Sequence, residues 1–166
     1  MTVIYIVTTG GTIEKAYSEQ TGEVTNLDSK IDRYRRLLRL PDCDVQIVPL
    51  MNIDSLEMTD SNRFVILGAV MAPILITHGT DTMVETGLYL QRAMPELEVP
   101  IVMTGAMAPL DFEGSDALQN LTESLLALRI LSPGIYIMSH NQVFPIDRVR
   151  KDHTLVRFVP SHRKLM

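Results

Sequence analysis

Cysteine and long apolar runs are scarce in this sequence of 166 residues. Cys43 is the only cysteine, so an intrachain disulfide and a four-cysteine zinc site are both excluded. No apolar run approaches the roughly 20 residues needed to cross a bilayer, so we expect no membrane association. The net charge of −5 gives no reason to expect a nucleic-acid partner.

The N-terminus lacks the basic segment that opens a secretory signal peptide. Its apolar run covers only residues 3–7, which is typical of a core strand, and we therefore expect a cytoplasmic protein. The apolar fraction of 46% and the charged fraction of 21% are ordinary for a globular protein. The length suits one domain over residues 1–166.

Several motifs that identify common functions are also missing. The sequence has no G-x-G-x-x-G of dinucleotide-binding folds, no G-x-x-x-x-G-K-[ST] phosphate loop and no G-x-S-x-G elbow of serine hydrolases. The histidines show neither H-x-x-H nor H-x-x-x-H spacing. We therefore predict no metal site, and we interpret each histidine as a structural or surface residue.

Apolar strand-like runs alternate with helix-like stretches along the chain. We predict strands at residues 3–8, 45–49, 73–77, 100–104 and 134–139. Continuous apolar runs, such as residues 101–103, are typical of strands buried on both faces. The alternation predicts a single α/β domain, with a doubly wound, mostly parallel open sheet of the flavodoxin or Rossmann kind covered by helices on both sides.

Four helices are expected between these strands. We predict them at residues 29–40, 60–72, 83–94 and 115–131. The expected caps of the first three are Asp28 or Ser29, Thr59 or Asp60, and Thr82 with Glu85 in a capping-box pattern. Residues 14–27 have weak periodicity, and we interpret them as an active-site lid, the alternative being a disordered surface loop.

Two turns rich in glycine and threonine follow predicted strands, at residues 8–13 (TTGGTI) and 77–82 (THGTDT). Loops at the carboxyl ends of parallel strands converge on the binding crevice of an open α/β sheet. Threonine hydroxyls are possible nucleophiles, and glycine lets a substrate approach the backbone closely. The two turns therefore indicate one pocket with paired hydroxyls.

A threonine hydroxyl is a weak nucleophile that needs a base or a hydrogen-bonded neighbour. Three residues are candidates for that neighbour: Tyr17, Asp81 and Lys151. A lysine near a carboxylate in a partly dry pocket accepts a proton if its pKa is lowered. Thr80 lies where the third helix begins, and the backbone N–H groups there favour developing negative charge.

Residues 9–13 and 77–83 resemble the two signature segments of the bacterial-type L-asparaginase/glutaminase family. Further similar segments follow in the family's order, at residues 52–55, 105–107, 115–120 and 147–151. The resemblance covers essentially the whole chain and follows the family's N-terminal domain only, as in the short, single-domain asparaginases. It implies an N-terminal-type catalytic domain.

The resemblance also implies a role for each matching residue. Thr12 would attack the side-chain amide and form an acyl-enzyme, activated by Tyr17. Thr80, Asp81 and Lys151 would handle protons and stabilise the intermediate. Substrate contacts would come from Gly11, Asp54, Ser55, Glu57, Gly79, Asp81 and Ala106, with Asp81 on the α-ammonium and Ser55 on the α-carboxylate. Leu56 stands where many members have glutamine.

The implied activity is hydrolysis of L-asparagine to L-aspartate and ammonia, without a cofactor. A homodimer or larger homo-oligomer is expected, because the family's C-terminal domain donates residues to a neighbouring site and is not part of this sequence. Three alternatives stay open: an amidohydrolase for glutamine or a D-enantiomer, a non-catalytic amino-acid sensor, and an amidase subunit that supplies ammonia to a partner protein. Thr12, Tyr17 and Lys151 also have ordinary structural interpretations, as a turn residue, a packing residue and part of a solvated basic strip.

Overall fold

The predicted alternation of strands and helices is present in a computed structural model of the chain, which describes residues 2–26, 29–70 and 72–161. Within these residues the helices are Ile31–Arg35 (α1), Asp60–Gly68 (α2), Met83–Ala93 (α3) and Ala117–Ile130 (α4). The strands are Thr2–Gly10 (β1), Lys15–Tyr17 (β2), Val24–Asn26 (β3), Cys43–Ile53 (β4), Ile74–Thr77 (β5), Pro100–Thr104 (β6), Gly134–Ser139 (β7), Gln142–Pro145 (β8), Val149–Asp152 (β9) and Arg157–Pro160 (β10). Short 3₁₀ turns cover Thr12–Glu14, Ser55–Glu57 and Ile146–Arg148.

Six strands form the central sheet, in the order β4-β1-β5-β6-β7-β8. The first five are parallel to their neighbours, and β8 pairs antiparallel with β7. The chain moves outward from β1 to β4 and then returns to β5 on the other side of β1, so the strand order reverses between β1 and β5. This is the doubly wound, mostly parallel α/β sheet that the sequence predicted, and such a reversal point is where these sheets bind ligands.

Helices cover both faces of the sheet because successive strand residues point to opposite sides. On β5, Leu75 packs on one face with Leu121 of α4. The next residue, Ile76, packs on the other face with Met83 and Leu90 of α3. These side chains are fully buried, so the strands that carry the candidate site are held from both sides.

The first helix is shorter than predicted. It ends at Arg35 rather than Leu40, because the backbone after it closes into tighter turns with hydrogen bonds to the third residue back. Ser29 lies near its start, where its hydroxyl accepts the N–H of Ile31 at 3.4 Å. Asp28, the other predicted cap, lies outside the described residues.

Of the caps predicted for α2 and α3, one is confirmed and the other is wrong. Thr59 caps α2 as predicted, although α2 ends earlier than expected. The capping box of Thr82 and Glu85 is wrong: the Thr82 hydroxyl donates to the Ser55 carbonyl at 2.8 Å, and Glu85 pairs with Arg63. None of the helices in the described part of the chain is long and apolar enough to cross a membrane.

Two short antiparallel pairs lie outside the central sheet. Strands β2 and β3 form a hairpin within residues 14–27, the stretch predicted to be irregular, whose last residue, Leu27, lies outside the described residues. Strands β9 and β10 form the second pair, and β9 carries Lys151. Each pair thus holds a residue of the predicted site, since β2 ends at Tyr17.

Candidate active site

Both threonine-rich turns lie at the point where the strand order reverses. Strands β1 and β5 are neighbours, with Thr8 opposite Thr77 at their carboxyl ends. The Thr12–Glu14 turn follows β1, and residues 78–82 follow β5. Because the strands are parallel, both turns leave the sheet at the same edge.

Glycines let the two turns touch. Gly11 has a φ of 81°, and a Cβ there would lie 2.4 Å from the Gly79 Cα. A Cβ at Gly79 would lie 2.3 Å from the Ser55 Oγ. Any side chain at either glycine would force these segments apart. The contact therefore brings Thr12, Thr80 and the loop after β4 together.

Thr80, Asp81 and Lys151 form one hydrogen-bonded group. The Lys151 Nζ donates to Thr80 Oγ1 and to Asp81 Oδ1, both at 2.7 Å. The Lys151 side chain is only 13% exposed and that of Asp81 35%, while Thr80 is buried. In this partly dry position the ammonium is held by the carboxylate and directs an N–H bond at the hydroxyl. The group is thus able to hold or transfer a proton at Thr80 Oγ1.

Thr12 opens the 3₁₀ turn after β1. It is half-buried, and none of the described side chains hydrogen-bonds to its hydroxyl. Its backbone is fixed on both sides: the Gly11 N–H donates to the Ile53 carbonyl at 2.9 Å, and the Lys15 N–H donates to the Thr12 carbonyl. A free hydroxyl on a fixed backbone is suited to attack a bound substrate.

Tyr17 is 58% exposed at the end of β2, and the structure does not join its hydroxyl to the candidate nucleophile. The hairpin that carries it is nevertheless attached to the loop after β4. Lys15 pairs with Asp54 at 2.8 Å, and the Asn26 amide donates to Asn52 at 2.6 Å. The position of the tyrosine therefore depends on this hairpin.

The residues of the loop after β4 differ from one another in burial and in hydrogen-bond partners. The Lys15 ammonium and the Leu56 N–H hydrogen-bond to Asp54 and hold the pKa of its carboxyl below the usual value. Ser55 is buried, whereas Leu56 is 73% exposed. Glu57 is exposed, and its carboxylate forms no ion pair or hydrogen bond with the described residues. Of these residues, Ser55 is the one that contacts the second turn.

Ala106 lies in the loop after β6, but it is buried in the core and not open to a substrate. Asp116 holds the same loop by accepting the N–H groups of Met107 and Ala108 at 2.9 and 3.1 Å. His140 donates or shares a proton with Asp116 at 2.8 Å.

Glu14, which the sequence analysis missed, ends the 3₁₀ turn of Thr12. It is only 4% exposed, and its Oε2 accepts the Gly10 N–H at 2.7 Å. Burial raises the pKa of its carboxyl, and the nearby polar groups of Ser29, Gly10 and Thr8 lower it only in part. The signal in the sequence was an acidic residue directly after a glycine-rich turn, but acidic residues in polar stretches are usually exposed.

The buried ring of His78 holds the second turn in place through its contacts. It is fully buried, with Nδ1 2.8 Å from the Gly79 carbonyl and Nε2 2.9 Å from the Met58 sulfur. The carbonyl requires a proton on Nδ1, which a neutral ring supplies. Burial lowers the pKa of His78 to about 4, with Arg63 adding a smaller repulsion. This histidine is a structural residue of the site.

We expect the free energy of unfolding to fall by about 3 kcal/mol between pH 6.5 and 4, because His78 has a pKa of about 4 in the folded protein and 6.5 when unperturbed. Over this range the unfolded chain binds a proton that the folded protein excludes. Urea unfolding across the range measures the fall, and His78→Gln should remove this part of it. A ring that titrates near pH 6.5 in NMR spectra of the folded protein would contradict the prediction.

Comparison with known proteins identifies the family of the chain. Residues 3–158 match the family described as "Asparaginase, N-terminal". The match covers most of the chain, which therefore belongs to the asparaginase family.

The individual relatives are of two kinds, L-asparaginases and amidotransferase subunits. The chain is 30% identical over 158 residues to an L-asparaginase of Thermococcus kodakarensis, covering 92% of this chain and 48% of that protein. It is 31% identical over 148 residues to a glutamyl-tRNA(Gln) amidotransferase subunit of Methanococcus vannielii, covering 84% of this chain and 34% of that protein. The solved structure of the thermostable L-asparaginase from Thermococcus kodakarensis superposes with a TM-score of 0.84 at 30% identity, over 95% of this chain and 51% of that one. The chain thus spans about half, or less, of these relatives.

Proposed function

We propose that this domain, over residues 1–166, hydrolyses L-asparagine to L-aspartate and ammonia through an acyl-enzyme on Thr12. The observation that carries the proposal is the hydrogen-bonded group of Thr80, Asp81 and Lys151. The close approach of Gly11 to Gly79, the residues before Thr12 and Thr80, supports it. Membership of the asparaginase family supports it.

In the proposed reaction, Thr12 Oγ1 attacks the carbonyl carbon of the side-chain amide. The C–N bond then breaks, and ammonia leaves with the proton that the hydroxyl has lost. Water hydrolyses the resulting ester, which frees the new carboxylate and restores Thr12. The Thr80 hydroxyl, to which the Lys151 ammonium donates, relays the proton from Thr12 to the leaving nitrogen, and Tyr17 hydrogen-bonds to Thr12 when the hairpin closes on a substrate.

The substrate carries one charge of each sign, and the site offers a partner for each. Asp81 accepts the α-ammonium, since its carboxylate is still about a third exposed beside Lys151. Ser55 and backbone N–H groups near Gly11 and Gly79 receive the α-carboxylate. Asp54 and Glu57 shape the rim, and Ala106 contributes through its loop. A small zwitterion is thus the substrate class that suits the site.

The test is ammonia release across a concentration series of L-asparagine, L-glutamine and D-asparagine. We expect the highest kcat/KM for L-asparagine. A higher value for glutamine would reassign the substrate within the same reaction class. Asparagine binding in calorimetry without any ammonia release would replace the proposal with an amino-acid sensor.

A second candidate function is an amidase subunit that supplies ammonia to a partner protein. It is favoured by the glutamyl-tRNA(Gln) amidotransferase subunits of Methanococcus species, which match at 28–31% identity, close to the 30% of the L-asparaginase from Thermococcus kodakarensis. The purified chain alone distinguishes the two. Turnover at full rate without a partner supports the asparaginase, whereas turnover that requires a second protein supports the amidase subunit.

We also propose that the protein acts as a homodimer or larger homo-oligomer. Tyr17 and Leu56 expose apolar surface at the rim of the site, and the ion pair of Lys15 with Asp54 holds their segments together. A second copy packed on this rim would exclude water from the site. Light scattering during size exclusion measures the mass, and a fully active monomer would contradict this proposal.

A further inference from the structure

The loop after β6, residues 105–110, touches both threonine-rich turns, and we call it the bridging loop. At its start, a Cβ on Gly105 would lie 2.3 Å from a backbone carbonyl oxygen of the second turn and 3.3 Å from Thr80 Cγ2. At its end, the Leu110 N–H donates to the Ile13 carbonyl at 3.4 Å, in the 3₁₀ turn of the proposed nucleophile. The position of this loop is therefore coupled to both halves of the candidate site.

One carboxylate holds the middle of the bridging loop. Asp116, whose side chain is 16% exposed, accepts the N–H groups of Met107 and Ala108 and the side-chain amide of Asn120, the last at 3.0 Å. The same amide nitrogen donates to the carbonyl that opens the loop, at 2.9 Å. Burial raises the pKa of Asp116, but the hydrogen bonds from Met107, His140 and Ala108 outweigh it and hold that pKa below its usual value. The anchor of the loop is therefore a charged group that depends on its donors.

His140 supplies a further donor from the turn between β7 and β8. Its Nε2 lies 2.8 Å from Asp116 Oδ2, and because the ionised carboxylate only accepts, Nε2 carries the proton. His140 and Asn141 have φ values of 51° and 60°, a backbone conformation that is costly for residues with a Cβ. Helix α4 stabilises it: the His140 N–H donates to Asn120 Oδ1 at 2.9 Å, and the Asn141 N–H donates to Glu123 Oε2 at 2.8 Å. The helix thus fixes the turn, and the turn holds the imidazole against the carboxylate.

We propose that His140 is a positioning residue for the amide hydrolysis. Through Asp116 it keeps the bridging loop against both turns, and the loop in turn keeps Thr12 and Thr80 in the relative position that proton transfer between them requires. This inference rests on the proposed function and extends the same site by one residue. His140 itself forms no hydrogen bond with either threonine in the described part of the chain, so it acts only through the carboxylate.

The first experiment is ammonia release by His140→Leu, which removes the donor and keeps a side chain of similar size. We expect kcat for asparagine to fall by about 10-fold, with KM changed by less than about 2-fold, because Asp81 and Ser55 form no hydrogen bond with the bridging loop in the described structure. His140→Gln keeps an N–H donor near the place of Nε2 and should restore most of kcat. The control Gln142→Leu introduces leucine at an exposed position of the same hairpin and should leave kcat unchanged.

The second experiment does not need turnover. Native-state hydrogen exchange followed by NMR should show the Met107 and Ala108 amides exchanging about 10-fold faster in His140→Leu and at the wild-type rate in His140→Gln. A wild-type protein that releases no ammonia would remove the proposed function, and the exchange rates would then decide alone whether His140 holds the loop. Unchanged exchange, a wild-type kcat or a rise in KM alone in His140→Leu, or a fall in kcat that His140→Gln does not restore, overturns the proposal.

Discussion

Thr12→Ala should lower kcat for asparagine by about 10⁴-fold or more, because it removes the proposed nucleophile and no other group replaces it. The fold should be little affected. The hydroxyl makes no hydrogen bond to the described side chains, and the turn is fixed by its backbone. Steady-state ammonia release measures the loss, and urea unfolding checks the stability.

Thr12→Ser is the matched control for this change. It keeps the hydroxyl and removes only a methyl group, so it should recover most of the lost rate. A covalent adduct trapped with a slow substrate should appear in mass spectra of the serine variant and not of the alanine variant. Wild-type kcat in Thr12→Ala would disprove the threonine mechanism, whichever amide is the substrate.

Lys151→Met should lower kcat by about 10²–10⁴-fold, the usual range for loss of a proton-transfer group. Methionine retains most of the apolar stem and removes the ammonium that donates to Thr80 Oγ1 and Asp81 Oδ1. The side chain is mostly buried, so the free energy of unfolding should fall as well, because the Asp81 carboxylate loses its partner. The kinetics of ammonia release across pH measure the first effect.

Arg150→Met is the control on the same strand. Arg150 is exposed and pairs with Asp152, so its loss should leave kcat unchanged. Whether Lys151→Met changes kcat or KM then distinguishes two roles for the lysine. A fall in kcat supports proton transfer, whereas a rise in KM alone would mean that Lys151 only positions Asp81 for the substrate ammonium.

The sheet was predictable because each buried strand leaves a local mark in the sequence. Continuous apolar runs such as residues 101–103 occur where both faces are covered by helices. All five parallel strands were predicted, including the edge strand β4, whose residues are mostly half-buried. Strand β8 and the β9–β10 pair lie at the edge or outside the sheet, and their polar residues alternate with apolar ones too briefly to be recognised. The early end of α1 also left no local signal, because Leu38 keeps helical spacing while packing from a turn.

The site residues likewise divide into those that the sequence indicated and those that it did not. The Gly-Thr turns were visible because they need particular residue types at adjacent positions. Glu14 was not, since its burial depends on the Gly10 N–H and on distant segments that cover it. The capping box of Thr82 failed for a similar reason, because the Ser55 carbonyl offered its hydroxyl another partner.

The sequence by itself determined the alternation of strands and helices and the two turns that follow β1 and β5, because apolar periodicity and glycine conformation act over a few residues. The tertiary structure alone decided which groups meet. Lys151 lies 70 residues after Asp81, and their ion pair forms only because the fold brings β9, which pairs with β10 outside the central sheet, to the turn after β5. The close approach of Gly11 to Gly79, which brings the turns of Thr12 and Thr80 together, likewise depends on the parallel register of two strands far apart in the chain.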